Sequence, residues 1–219
     1  MTKAAISKRR PEGGAETAVR KRILEAAFAA FRKNGYPATS TLEIATRARV
    51  SKRELYALVG NKQAMLIACI SERAKRLEVP ADLPDLRDRE TLAQVLTSFG
   101  KKLVREITDP PVIAVFRLAI AEAVQAPEVA RALDSRGREK SRAALREIMA
   151  RAQASGLLTG PPAELAEQFA GLLWGHLMIS LLLGVAERPT PREIDARARV
   201  AAAAFLQLHP LPTDALTGS

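Results

Sequence analysis

Lys52 and Arg53 stand side by side at the head of a short predicted helix, and their chemistry suits a polyanion. A guanidinium presents a planar fork of donors that matches O6 and N7 of guanine, so Arg53 can pair bidentately with a base edge. Lys52 can reach a base or a phosphate. Thr39, Ser40, Ser51, Tyr56 and Lys62 supply hydroxyls and an ammonium of the kind that bond phosphate oxygens near helix ends. Tyr56 can equally be a core aromatic with a wet hydroxyl. Glu54 can accept from cytosine, although its spacing from Ser51 suits a helix cap better.

Two short helices must position these groups. Ser40 and Glu43 have capping-box spacing and open the first; Ser51 and Glu54 have it again and open the second. Leu42, Ala45 and Ala48, with Ile44 at the flank, are expected to face inward from the first. Val50, Leu55, Leu58 and Val59 supply the second helix's share of the same core. Lys52, Arg53 and Ala57 then point outward. A helix-turn-helix uses this arrangement, setting the start of its second helix against base edges in the major groove.

The surrounding residues carry a family resemblance. The stretch R-K-R-I-L-E-A-A-F-A-A-F-R-K-N-G-Y (Arg20 to Tyr36), then Ile44-Ala45, Val50-Ser51-Lys52, Leu55-Tyr56 and Lys62, resembles the DNA-binding domain of TetR/AcrR-family bacterial repressors. The likeness covers roughly residues 17–79. Two positions depart from it: Ala48-Arg49-Val50 stands where the family usually has a glycine turn, and Val59 where it favours an aromatic. If Arg49 is left-handed, its Cβ costs about 1–2 kcal/mol.

Charge is distributed as that resemblance implies. Residues 1–62 hold 14 of the 34 Lys and Arg and five of the 24 Asp and Glu, while residues 63–219 are nearly neutral, 20 against 19. Basic charge confined to one end marks a polyanion-binding module on a neutral partner module. Residues 1–16 read as a disordered basic tail, either phosphate-tracking or dispensable. Residues 17–62 form the expected helix-turn-helix domain, 63–79 a connecting helix, and 80–219 a larger helical domain. The fold class is all-α. Thr17 to Asn34 is its first long helix, with Ile23, Ala26, Ala27, Ala30 and Phe31 in phase. Asn34-Gly35 ends it as a left-handed cap does.

Beyond Glu90 the chain reads as helices punctuated by proline: Thr91–Thr108, Val112–Gln125, Pro127–Ser155 with a weak point near Gly137, a segment opened by Pro161-Pro162, and Arg192–Leu208. Phe169 to Val185 is its most apolar stretch. A membrane span needs about 20 residues, and this stretch of 17 includes His176, Ser180 and three glycines, so it suits a helix buried on nearly every side. Gly171 and Gly175, with Ala198, Ala201, Ala202 and Phe205 on the last helix, suggest a close, isologous dimer seam of four helices, with intrachain core as the alternative. The resemblance also places the meeting of subunits there, and implies a small-molecule pocket in the larger domain. Phe99, Leu103, Phe116, Ile120, Trp174 and Met178 can line it or be plain core, with Arg117, Glu122 and His176 as polar anchors.

Other chemistry is missing from the sequence. There is no Gly-rich phosphate loop. No nucleophile elbow occurs, and neither His176 nor His209 has a second ligand at zinc spacing. No catalytic residue, metal site or cofactor is expected. The single Cys69 excludes an internal disulfide and reads as a small core residue. No leader pattern opens the chain, so a bacterial cytoplasmic location is expected, with no membrane partner. The resulting expectation is a homodimeric repressor that binds palindromic double-stranded operator DNA and responds to an apolar or amphipathic effector. An architectural DNA-binding protein without a ligand is the alternative.

Overall fold

A computed structural model describes residues 12–36, 38–78, 84–121, 123–124 and 127–211. Every regular element among them is helical, so the fold is all-α. The chain divides into two compact units, one ending at Cys69 and one starting at Ile70.

The first unit contains α1 (Glu12–Asn34), α2 (Thr41–Ala48), α3 (Lys52–Val59) and the start of α4 (Lys62–Ala74). Eight-residue helices such as α2 and α3 are unstable alone in water, so packing must hold them. Ile23, Ala27, Ala30 and Phe31 of α1, Ile44, Ala45 and Ala48 of α2, Leu55 of α3, and Met65 and Leu66 of α4 are all buried, and α1 packs against α2 and α3. Each fully buried large aliphatic adds about 1.5–3 kcal/mol. Cys69 is also buried, its thiol directed at the Leu24 carbonyl at 3.5 Å. Leu42, expected inward, is 63% exposed. The buried arc of α2 centres on the fully enclosed Ile44, which turns Leu42 out to solvent. The basic tail expected for residues 1–16 lies outside the described residues as far as Pro11, and from Glu12 the chain is already helical.

The second unit follows α4 with a 3₁₀ turn (Lys75–Leu77), then α5 (Arg89–Ile107), α6 (Pro110–Ala121) and α7 (Pro127–Ala132). A π-helical turn (Leu133–Arg138) leads into α8 (Glu139–Ala154), α9 (Pro162–Trp174), α10 (Leu177–Leu183) and α11 (Pro191–Leu208). The expected connecting helix 63–79 is therefore shared: Met65, Leu66 and Cys69 belong to the first unit, Leu77 to the second core. The weak point expected near Gly137 is the π turn. Prolines open α6, α7, α9 and α11, where a missing N–H costs nothing because first-turn donors have no intrahelical acceptor. Asp88 caps α5 by accepting from Thr91 N at 2.7 Å. Thr190 and Glu193 cap α11 reciprocally. Backbone N–H bonds, from Thr91 to Asp88 and from Thr190 to Glu193, hold both carboxyls below their usual range. Their contribution is present above the unfolded carboxylate range and fades as pH falls through the lowered folded values.

One expectation fails here. Phe169 to Val185 is two helices rather than one, bent by 56° at the break. Gly175 adopts φ +46° and ψ −126°, which ends α9, and His176 begins the turn into α10. Neither is buried on nearly every side: Leu172 of α9 is 36% exposed, and Ile179 and Leu183 of α10 are 61% and 72% exposed. No single helix among the described residues is long and apolar enough to cross a membrane.

The core of this unit forms where α5 lies along α11, with α9 packed on α11 and α8 and reaching α5 through Phe169 and Leu173. Gly100 makes the close approach possible. A Cβ placed on it would meet Ala198 Cβ and Leu173 Cδ1, each at 3.3 Å. Phe169 and Phe205 pack edge-to-face beside it, centroids 5.7 Å apart, a geometry aromatic pairs favour. Gly100→Leu should therefore overpack the junction and lower stability by about 1–3 kcal/mol. Chemical denaturation of the full chain checks this, and an unchanged midpoint would mean that α5 and α11 can separate freely.

Candidate nucleic-acid interface and effector cavity

The turn between α2 and α3 sets the first site. Arg49 is left-handed, φ 54° and ψ 49°, the one non-glycine residue among those described with positive φ. Arg49 N donates to Thr46 O and Val50 N to Ala45 O, both at 3.1 Å. Arg22 Nε of α1 holds the Ala48 carbonyl at 2.8 Å. These three bonds over-determine the turn, which is how a residue with a Cβ persists there.

The caps lie on either side of that turn. Ser40 Oγ accepts from Glu43 N at 3.1 Å, and Ser51 Oγ from Glu54 N at 3.0 Å. The expected return contact at α2 is absent: the Glu43 carboxylate instead accepts from Asn34 of α1 at 2.8 and 2.9 Å and sits 3.5 Å from Arg47. Tyr56, 43% exposed, places its hydroxyl 3.3 Å from Thr41 Oγ1 and so ties the start of α2 to α3. Ser40, Ser51, Lys52, Arg53 and Ala57 are all exposed. Lys52 Nζ is 6.0 Å from the Tyr56 ring centroid. Arg53 has no hydrogen-bond or ion-pair partner among the described residues. Two cations in the first turn of a helix oppose its dipole, with only Glu54 offsetting them. Positions that break a local rule in this way are expected at functional or strained sites.

Two expected contacts stand apart. Thr39 is buried, and its hydroxyl donates to the Gly35 carbonyl at 2.7 Å. It closes the loop after α1 and has no exposed side chain to offer a phosphate. Lys62 lies 4.5 Å from the centroid of the Tyr36 ring. Burial lowers its pKa from the ordinary lysine value, while the ring face favours the cation.

The second unit holds a half-open cavity of about 540 Å³, within the range of small-molecule sites. Leu103, Phe116, Ile120, Trp174 and Met178 line it as expected, and Phe99 does not. Phe99 is turned into the core of α5. The expected polar anchors are elsewhere. Arg117 donates to the Leu181 and Leu182 carbonyls at 2.7 and 3.0 Å, stapling α6 to the end of α10. His176 is exposed and absent from the lining, and Glu122 lies outside the described residues. The polar lining is instead Asp134 and Arg138 of the π turn with Ser141 and Arg142 of α8. Their sequence signal was the four-residue step from Asp134 to Arg138 to Arg142, which puts all three on one helical face.

The expected seam is also corrected. Ala198, Ala201, Ala202 and Phe205 are at most 3% exposed and belong to this chain's own core. Small residues suit close packing within a chain as well as between chains, and α11 spends them on α5 and α9. Gly171 and Gly175 are exposed, but Gly175 breaks a helix rather than lying within one. The outward stripe of α11 is Ala196, Val200, Ala203 and Gln207, and that of α9 is Gln168, Gly171 and Leu172.

Comparison with known proteins follows the same division. A family described as "Bacterial regulatory proteins, tetR family" matches residues 23–69, and "AefR-like transcriptional repressor, C-terminal domain" matches residues 94–209. The chain belongs to the TetR family of transcriptional regulators. A solved TetR-family regulator from Mesorhizobium loti is 25% identical, with 89% of this chain and 98% of that one covered, at a TM-score of 0.73. Another, from Agrobacterium tumefaciens, is 27% identical over 87% and 94% at 0.73. The flavonoid-responsive regulator FrrA is 26% identical over 90% and 100% at 0.66. No curated protein matches the sequence. TetR-family membership makes the protein a DNA-binding regulator, and the left-handed Arg49 its departure at the turn.

Arg49→Gly should relieve that departure. Removing the Cβ from an αL position, less the extra unfolded-state freedom of glycine, should raise stability by about 0.5–1 kcal/mol. Urea midpoints of the two proteins measure it; a loss of stability would mean that the Arg49 side chain makes a compensating contact.

Proposed function

We propose that the protein is a homodimeric repressor that binds a palindromic operator through α3 and is released by a small apolar or amphipathic effector. The observation that carries the DNA half is the uncommitted Arg53 beside Lys52 in the first turn of α3, where the helix dipole disfavours both. The exposed Ser40 and Ser51 and the Thr41–Tyr56 pair supply hydroxyls for phosphates, and Lys62 adds an ammonium. Thr39 takes no part through its side chain.

Arg53→Ala should cost about 1–3 kcal/mol at its base pair and relax specificity there. Titrations on operator and random duplexes at several salt concentrations read this out. Equal losses on both duplexes would reduce Arg53 to a phosphate contact.

The outward stripes of α9 and α11 support the dimer. Val200 is 67% and Leu172 36% exposed, beside Gly171, Ala196 and Ala203, which leave room for a second copy to approach. A twofold axis through such a seam pairs each helix with its own copy and presents two α3 helices to a palindrome. Because Val200 is already exposed, Val200→Glu should leave the protomer folded and yield a monomer by light scattering. A variant that stays dimeric would move the seam elsewhere.

The cavity supports the effector half, as does the ligand response in the name of the relative FrrA. A ligand releases DNA only by binding the non-operator state more tightly. A coupling of ordinary size corresponds to about a 5–150-fold change in operator affinity, and operator must weaken the ligand by the same factor.

A further inference from the structure

The cavity's polar groups are gathered in one place and are unevenly charged. Arg138 Nη1 and Arg142 Nη1 both bond the same carboxylate oxygen, Asp134 Oδ1, at 2.9 and 3.3 Å. Arg142 also lies 3.7 Å from Glu139, whose carboxylate is engaged by Arg146 at 2.5 Å. Ser141 gives its hydroxyl proton to the Arg138 carbonyl at 2.8 Å. Two guanidiniums therefore share one oxygen at the cavity wall, and each has five N–H donors and no acceptor. The charged lining sums to one net positive charge, and apart from Ser141 the other lining residues have apolar or aromatic side chains. This group sits at the rim: the side chains of Arg138, Asp134 and Arg142 are 50%, 51% and 39% exposed. Buried Leu103, Leu133 and Leu145 lie deeper.

Each kind of head group fares differently there. An ammonium would face two guanidiniums and compete for their one carboxylate. A hydroxyl would cover the rim and leave the net charge unmatched. A carboxylate matches the fork geometry of a guanidinium and the missing charge together. We propose that the ligand is an amphipathic acid, its apolar body held by Phe116, Trp174 and Met178 and its carboxylate paired with Arg138 and Arg142. The assignment rests on reading the cavity as the effector site, and narrows it to one ligand class. Asp134 holds the two arginines in place when the site is empty and yields part of their bonding to the acid.

Trp174 is the only tryptophan in the chain and lines the cavity, so its emission reports binding directly. The full-length protein is titrated at low salt with submicellar decanoate, decanol and decylammonium, which share a tail and differ in the head. Decanoate should bind about tenfold more tightly than decanol, and decylammonium more weakly than either. High salt should shrink that preference, because the rim is partly exposed. Arg142→Gln should remove most of it while decanol still binds, which shows the cavity intact. Asp134→Asn should tighten decanoate about twofold to fivefold by removing the competing carboxylate, a gain that misfolding cannot produce. Equal binding of the three heads, no tightening in Asp134→Asn, or no response of Trp174 to any of them would overturn the proposal. Operator affinity with the same ligands separates the two readings. If decanol binds as well as decanoate and releases operator, the acid assignment falls and the repressor stands. If decanoate binds with the expected preference and leaves operator affinity unchanged, the inducer mechanism falls and the acid site stands.

Discussion

The close packing of α5 on α11 is the constraint from which the larger unit follows. Gly100 faces Ala198 and Leu173 with no room for a further carbon to spare. With those two helices in contact, Phe169 and Phe205 fill the space beside them, and α9 is fixed in rotation as well as position. Three surfaces of α9 then have three uses. Leu165, Phe169 and Leu173 enter the core, Ala170 and Trp174 reach the cavity wall, and Gln168, Gly171 and Leu172 face outward. A helix that must satisfy three surroundings at once ends where they can no longer be met together. It stops at Gly175, whose positive φ a side chain would strain.

Arginine does much of the joining between elements. Arg22, Arg89, Arg117 and Arg197 each donate to backbone carbonyls at or near the ends of other helices, at Ala48, Leu157 and Leu206, Leu181 and Leu182, and Leu173 and Trp174. Those carbonyls include some that a helix terminus leaves without an intrahelical donor. Within the second unit, Arg73 meets Asp109 at 2.6 Å and Glu106 at 3.3 Å, and Arg188 lies 3.5 Å from Asp109. This links α4, α5, the start of α6 and the loop before α11. The positive charge of the second unit is thus largely spent inside it, in contrast to the cations at the head of α3.

The same contrast separates the two candidate sites. At α3 the cations stand in water, screened, and gain their energy only when a polyanion arrives with its own counterions to release. At the cavity rim the cations already share a carboxylate, so a ligand must compete for them as well as fill an apolar space. In the proposed function, base recognition depends on where α3 is held, and the turn at Arg49 holds it; ligand recognition there depends on which residues the π turn brings to the cavity wall.

Much of this protein was legible from its sequence because the relevant rules are local. The caps at Ser40 and Ser51, the end of α1 at Gly35, the outward Lys52 and Arg53, the proline punctuation and the weak point at Gly137 all depend on residues within one or two turns of each other. Period is local too, but phase is not. Leu42 and the α11 alanines had the correct spacing, and only the neighbours that cover them decided which face is inside. Ile44 took the core and turned Leu42 out; Gly100 and Phe169 drew in Ala198 and Phe205. Phe99 and Trp174 are equally apolar in sequence, yet one fills the core and the other lines the cavity. Asp134, Arg138 and Arg142 looked like an ordinary solvated helix face until α5, α6, α9 and α10 closed a space in front of them. Hydrophobicity and spacing determine that a face must be covered, and tertiary packing decides by what.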